Sequence, residues 1–280
     1  MQYALVTGAA KGIGKAISAE LARRKYNLLL TDWDLEQLKN TAAAIRSEYG
    51  VEVQEYVQDL SDAGAARNLT SWSFPYHDLL TVVVNNAGYG LNDPFEQLSI
   101  EEQFGIIDVN IKAQLAITHE LLPVLRRAKK AFLLNVCSTT AYQPVPYLAV
   151  YAASKAFVLS FNQSLRYELR GSTVSLSYLS PGSTDTDFVI RARMKPHTLK
   201  TAERFNMTPG AVAKIAIDGL FKGKEEIVPG FLNKLNARLP KFFPLSFIRK
   251  IAASIYEPRK AVLQKDDKLQ PSLVEEHLPV

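Results

Sequence analysis

A doubly wound α/β fold on a parallel sheet is what this sequence predicts, from three observations. Short apolar or β-branched runs alternate with helical periodicities across the first 230 residues, and such alternation makes βαβ units with helices covering both faces of a sheet. A glycine-rich turn joins the first apolar run to the first helical pattern. No internal repeat and no Pro/Gly-rich linker interrupts the chain before about Pro229, so a single domain is expected.

The elements follow in order. Apolar or β-branched runs predict strands at 3–7, 27–31, 52–57, 81–85, 131–137, 173–179 and 226–228. Helical patterns fill the intervals at 13–25, 35–49, 61–70, 100–128, 151–169 and 209–221. After Pro229-Gly230 the character changes. Residues 231–256 are apolar and basic, with Leu232, Leu235 and Leu239 at one helical spacing and Ile248, Ile251 and Ile255 at another. Pro240 and Pro244 separate the two patterns, so two short amphipathic helices are expected as a C-terminal extension. Residues 257–280 mix charges with few large apolar side chains and read as a flexible tail. The expected organisation is therefore 1–230, 231–256 and 257–280.

Composition narrows the function. With 47% hydrophobic and 22% charged residues, the chain can build a sizeable core and is neither disordered nor fibrous. One cysteine, Cys137, excludes an internal disulfide framework and suits a reducing, cytoplasmic compartment. Four scattered histidines offer no metal-ligand cluster, so no metal is expected. No charged leader precedes the first apolar run and no run is long enough to span a bilayer. The net charge of +5 is local: five of the 33 basic residues lie in 231–256, which has no Asp or Glu, and the other 28 are balanced by 28 acids. A neutral body argues against nucleic acid as a partner.

The turn Thr7-Gly8-Ala9-Ala10-Lys11-Gly12-Ile13-Gly14 is the first candidate site. Gly8 permits a tight exit from the strand, Gly12 lets backbone approach a pyrophosphate, and Gly14 allows helix and sheet to pack closely. Free N–H groups at the helix start then face the anion. A P-loop is rejected, because five residues separate Gly8 from Gly14 and Ala16 stands where a Mg²⁺-binding hydroxyl is needed. Asp32 follows the second strand, where a carboxylate can accept from an adenosine ribose and repel a 2′-phosphate; this favours NAD(H). Lys11 pulls toward NADP(H), which stays open.

The second candidate is Tyr151-Ala152-Ala153-Ser154-Lys155, which sets a phenol and an ammonium on one helix face. A cation that stabilises phenolate lowers a pKa that is otherwise about 10, making a general acid/base pair. Ser138, just past the strand 131–137, stands at the carboxyl end of a parallel strand, where open α/β sheets bind ligands. It lies outside any Gly-x-Ser-x-Gly elbow, so a hydrolase triad is not supported.

These motifs, in this order, resemble the short-chain dehydrogenase/reductase superfamily, over roughly residues 2–230. Gly8, Gly12 and Gly14 match TGxxxGIG; Asp59-Leu60 looks like the pair that touches adenine; Asn85-Asn86-Ala87-Gly88 matches NNAG. Asn110, Ser138, Tyr151 and Lys155 match the catalytic tetrad, and Pro181-Gly182 with Thr186 resembles the segment that meets the nicotinamide carboxamide. Thr184 departs from the usual Val or Ile. The resemblance implies a Rossmann-type fold, hydride transfer between NAD(P) and a carbonyl or secondary alcohol, and a homodimer or homotetramer paired through the helices 100–128 and 151–169. In that family Tyr151 would move the proton, Lys155 would lower its pKa and hold the nicotinamide ribose, Ser138 would fix the substrate oxygen, and Asn110 would support a relay water. A non-catalytic, cofactor-binding scaffold of the same fold is the alternative.

Segments 89–92, 141–148 and 188–205 should border the substrate. They carry Tyr142, Pro144, Val145, Tyr147, Phe188, Val189 and Ile190, which suggests a hydrophobic ketone or alcohol. The same loop holds Arg191, Arg193, Lys195 and Lys200. Residues 231–256 would dock on a partner, make a peripheral contact with an anionic membrane, or simply cover the pocket or an oligomer interface.

Overall fold

The computed structural model describes residues 1–194 and 206–257. Seven parallel strands form one sheet in the order β3-β2-β1-β4-β5-β6-β7. They are β1 (Tyr3–Thr7), β2 (Asn27–Asp32), β3 (Val53–Val57), β4 (Leu80–Asn85), β5 (Ala131–Val136), β6 (Val174–Leu179) and β7 (Glu226–Ile227). Each lies within a residue, at either end, of its expected range. Strands β1, β4 and β5 are buried along their whole length, which is why they read as unbroken apolar runs.

Helices cover both faces. Helices α1 (Gly12–Arg23), α2 (Leu35–Tyr49) and α8 (Pro209–Phe221) enclose one core around Ile17, Leu21, Leu38, Val212 and Ile217. On the other face α3 (Ala65–Ser73) and α5 (Gln114–Arg127) bury Leu69, Ile117, Leu121 and Leu125. The same side carries α4 (Ile100–Ile107) and α6 (Ala149–Glu168). Local chemistry sets several starts: Asp34 caps α2 through the Gln37 amide at 3.1 Å, and Ser99 and Glu102 make a reciprocal capping box on α4.

Three expectations change. The helix expected at 61–70 begins at Ala65, because the Asp59 carboxylate accepts from both the amide and the hydroxyl of Ser61 and holds a turn there. The helix expected at 100–128 is interrupted by a π-helical turn, Asp108–Ala113, between α4 and α5. Beyond β6 a single turn, α7 (Phe188–Arg191), had no counterpart in the sequence reading.

The extension forms two helices, α9 (Phe231–Arg238) and α10 (Leu245–Tyr256), joined by the turn Leu239–Phe242. Among the described residues no helix is long and apolar enough to cross a membrane. The expected tail from residue 258 onward, and residues 195–205 of the expected substrate border, lie outside the described residues.

Candidate active site

Strand order reverses between β1 and β4, and the crevice at such a point is where ligands bind open α/β sheets. Gly8 leaves β1 at φ 65° and Gly12 turns at φ 56°, conformations that exclude most side chains. A Cβ on Gly14 would come within 2.0 Å of the Gly8 carbonyl oxygen, and one on Gly12 would meet the Thr186 methyl at 3.1 Å. No side chain caps α1, so the first amides of that helix, those of Gly12, Ile13 and Gly14, lack a side-chain partner. A bare glycine cradle at an uncapped helix start fits a pyrophosphate.

Neighbouring chain segments fix this cradle. The Thr7 hydroxyl accepts from the amides of Asn86 and Ala87, each at 3.0 Å. The Asn86 side-chain amide donates back to the carbonyls of Thr7 (2.9 Å) and Gly8 (3.0 Å). Sequence reasoning found Asn86, Ala87 and Gly88 by motif and quoted Thr7 within the glycine turn, but gave Thr7 no role of its own. The Asp32 carboxylate receives the Ala10 amide at 3.0 Å and the Asp34 amide at 3.1 Å, which fixes it beside the turn. Lys11 is not free: its ammonium pairs with Asp34 at 3.1 Å. The Arg191 guanidinium lies 5.4 Å from the Trp33 ring centre, so a cation does stand at the position after Asp32.

Tyr151, Lys155 and Ser138 come together at the carboxyl ends of β4 and β5, all buried. The Ser138 hydroxyl accepts from the Thr140 amide at 3.1 Å and favours the phenolate of Tyr151 by hydrogen bonding. Burial nevertheless raises the Tyr151 phenol above its ordinary value. Burial also pushes the Lys155 ammonium down to about 8. That ammonium donates to the Val136 carbonyl at 3.0 Å and lies 5.8 Å from the Tyr151 ring centre. Desolvation is thus the largest influence on the phenol in this arrangement, while the Lys155 ammonium donates to backbone.

Asn110 sits in the π turn, fully buried. Its amide donates to the Tyr89 carbonyl and the Ser154 hydroxyl, both at 2.9 Å, and its carbonyl accepts the Tyr89 amide at 3.0 Å. Gly88 passes close beneath: a Cβ there would lie 2.9 Å from the Asn110 oxygen and 3.1 Å from the Lys155 nitrogen. Gly90 is tighter still, since its Cβ would be 2.7 Å from the Tyr151 ring. Ser154 and Gly90 were missed because neither carries an obvious signal outside its contacts.

The remaining candidates divide. Leu60 is buried while Asp59 holds the turn described above. The Pro181 carbonyl accepts the Thr139 amide at 3.0 Å, tying that segment to Ser138, and Thr184 bridges to Met207 through backbone. Gly182 lies against Asn233 of α9, whose oxygen would be 2.2 Å from an added Cβ. Val145, Leu148, Tyr151 and Ala152 form an apolar cluster on which Phe188, Met194 and Tyr256 pack. Tyr142 is not part of it: its hydroxyl bonds Ser180 at 2.9 Å and donates to Glu226 at 2.5 Å. Ile190 points outward and is exposed. Tyr147 takes the left-handed conformation at φ 64°, with its carbonyl accepting from the Asp93 amide (3.0 Å) and the Asn92 side chain (3.2 Å).

A glycine cradle at the sheet's switch point and a buried Tyr-x-x-x-Lys helix beside it define a nucleotide-dependent redox fold. Residues 2–196 match the short chain dehydrogenase family model, and the chain belongs to that family. It is 32% identical over 250 residues to a chicken "Hydroxysteroid dehydrogenase-like protein 1", covering 86% of this chain and 73% of that one. It is 34% identical to the human "Inactive hydroxysteroid dehydrogenase-like protein 1", over 64% of this chain and 55% of that protein. Among solved structures, an alcohol dehydrogenase from Thermococcus sibiricus complexed with 5-hydroxy-NADP is 29% identical, with TM-score 0.71 over 81% of this chain and 95% of its own. A Burkholderia phymatum family member in complex with NAD shares the fold at 22% identity, with TM-score 0.78 over 89% and 95% of the two chains. Solved proteins similar to this chain thus carry NAD in one case and an NADP derivative in the other.

Proposed function

We propose that this chain transfers hydride between NAD(H) and a hydrophobic ketone or secondary alcohol, with Tyr151 as general acid/base. The observation that carries this is the buried convergence of Tyr151, Lys155 and Ser138 beside an apolar wall of Val145, Leu148 and Phe188. The phenyl ring of Phe188 stands 5.3 Å from that of Tyr151, so the substrate carbon next to the reacting carbonyl meets hydrocarbon rather than water. The nicotinamide, when bound, supplies or accepts the hydride. The protein's part is alignment and proton handling. Ser138 orients the substrate oxygen, and Tyr151 gives or takes the proton at that oxygen. Lys155 holds a positive charge behind the phenol and in this reading would hold the nicotinamide ribose. The Asn110 side chain is committed to Tyr89 and Ser154, so a relay water would use its backbone carbonyl.

The cofactor is held by Gly8, Lys11, Gly12, Ile13, Gly14, Asp32, Asp59, Leu60, Asn86, Ala87, Gly88, Pro181, Gly182, Thr184 and Thr186 in this reading. NAD(H) is preferred, because the fixed Asp32 carboxylate repels a 2′-phosphate and Lys11 is already neutralised by Asp34. Titrating both cofactors tests this; tighter NADP(H) binding would mean that Arg191 on Trp33 sets the preference instead.

Tyr151→Phe removes one hydroxyl and keeps the packing. Turnover is expected to fall by at least ~10²–10⁴-fold, with cofactor affinity unchanged. Retained turnover in this variant would refute the assignment. The human relative's name supports a second reading, a cofactor-binding chain without turnover. Nicotinamide binding with no reduction or oxidation across a panel of ketones and alcohols would select it.

A further inference from the structure

Helix α9 is turned inside out relative to its sequence. Its buried face is Asn233 and Ala237, and its exposed face is Phe231, Leu232 and Leu235. The inward position is held by polar contact: the Asn233 amide donates to the Pro229 carbonyl at 2.8 Å and the side chain lies against Gly182. Phe231 is 79% exposed and Leu232 51%, both within the helix. The turn that follows leaves Phe242 80% exposed. In α10, Ile248 and Ala252 face the protein while Phe247 and Ile251 stay outside at i and i+4. Phe243 packs its ring 5.8 Å from that of Phe247, extending this stripe back into the turn.

Charge accompanies the apolar side chains. Lys234, Arg238, Arg249 and Lys250 are all exposed, and among the described residues none is paired with a carboxylate. Residues 231–256 contain no Asp or Glu, whereas the rest of the chain is neutral. Exposed aromatic and aliphatic side chains beside exposed cations, in a segment without acids, match the surface of an interfacial helix. A second copy of this surface, face to face, would set these cations against one another, whereas an anionic headgroup layer attracts them and takes up the apolar side chains as well.

We propose that α9, α10 and their connecting turn are a docking surface for an anionic lipid bilayer. The surface adjoins the site. Tyr256, the last residue of α10, packs on the cluster of Val145, Leu148 and Tyr151, and its carbonyl accepts from the Asn92 side chain at 2.9 Å. Docking there would set the apolar wall beside Tyr151 close to the membrane, where a lipophilic ketone or alcohol is concentrated. This consequence rests on the hydrophobic substrate proposed above, but the docking does not.

The test is flotation of the full chain with vesicles of phosphatidylcholine alone or mixed with phosphatidylglycerol. The full chain should float with the anionic vesicles, less so at high salt, and not with phosphatidylcholine alone. Exchanging Lys234, Arg238, Arg249 and Lys250 for Gln should weaken binding by about a hundredfold or more. Phe243→Ser with Phe247→Ser should also release the protein. All six residues are exposed, so nicotinamide cofactor binding and the thermal midpoint should hold in both variants. No flotation at any composition, or flotation indifferent to both variants, overturns the proposal. Loss of self-association in the Phe variant without any flotation would give the surface to a second copy. New protease sensitivity of residues 258–280 in that variant, again without flotation, would give it to the chain's own C-terminal segment. Flotation with no turnover of lipophilic ketones would sink the substrate reading and leave the docking intact.

Discussion

At the scale of single residues, the site places charge where the fold disfavours it. Lys155 is buried and its ammonium is pushed down to about 8 from 10.5. Its folded value lies below its unfolded value, so between those two pH values the unfolded chain binds more protons than the folded one. Stability from this group therefore rises as pH climbs from about 8 to 10.5, and below about 8 the full cost of the buried charge is present. Lys155→Met keeps the aliphatic stem and removes the charge. It should raise the stability of the protein at pH 7 by up to about 3 kcal/mol, since one pKa unit is about 1.4 kcal/mol, while abolishing turnover. Urea unfolding at pH 7 and pH 10 checks the sign: the advantage of the variant should shrink at the higher pH. A variant less stable at pH 7 would mean that the bond from Lys155 to the Val136 carbonyl outweighs desolvation. Ser138, Tyr151 and Lys155 were legible at this scale because their chemistry demands particular side chains at particular spacings. Thr7, Gly90 and Ser154 were not. Thr7 and Ser154 serve as hydrogen-bond partners and Gly90 by having no side chain at all.

At the scale of elements, the strands were readable because burial on both faces forces continuous apolar runs. The long helix pattern at 100–128 hid its interruption. A π turn inserts one residue into the ladder without spoiling apolar periodicity on either side, so the pattern passes through Asp108–Ala113 unchanged. The turn has a function in packing: it points Asn110 at the backbone of Tyr89 and at Ser154, joining the α4–α5 unit to α6 and to the loop after β4. Asn110→Ala removes three hydrogen bonds and leaves the Tyr89 amide and carbonyl without partners in a buried site. The expected loss is about 1–3 kcal/mol, read as a lower denaturant midpoint with an unchanged slope. An unchanged midpoint would show that water or a backbone shift replaces the side chain. Helix α9 misleads in the opposite sense. Its leucine spacing is that of a buried stripe, yet the stripe faces out, because Asn233 and Ala237 fit the narrow space against Gly182 and the turn Thr139–Tyr142. Periodicity identifies an apolar face and says nothing of what covers it.

At the scale of the whole molecule, the chain leaves a second apolar surface far in sequence from the C-terminal one. On α6, Phe157 is exposed and stacks on Phe161 at 6.3 Å with the rings 13° from parallel. Ile100 and Phe104 are exposed on α4, which packs against α6. These side chains belong to the two long helical regions through which the family resemblance predicts pairing. A two-fold axis would set α6 against its own copy, so that each Phe157 meets the same patch on the partner subunit and both faces are buried at once. Unlike the C-terminal surface, α6 mixes its apolar residues with few cations, and nothing in its charge pattern calls for lipid. The prediction is a homodimer or a homotetramer built from it, measured by light scattering at micromolar concentration as two or four times the mass of the chain. Phe157→Glu places two like charges face to face across that axis and should shift the protein to monomers, while vesicle flotation through α9 and α10 persists. A wild-type monomer at that concentration would refute the dimer. Dissociation by Phe243→Ser with Phe247→Ser, but not by Phe157→Glu, would move the interface to the C-terminal helices.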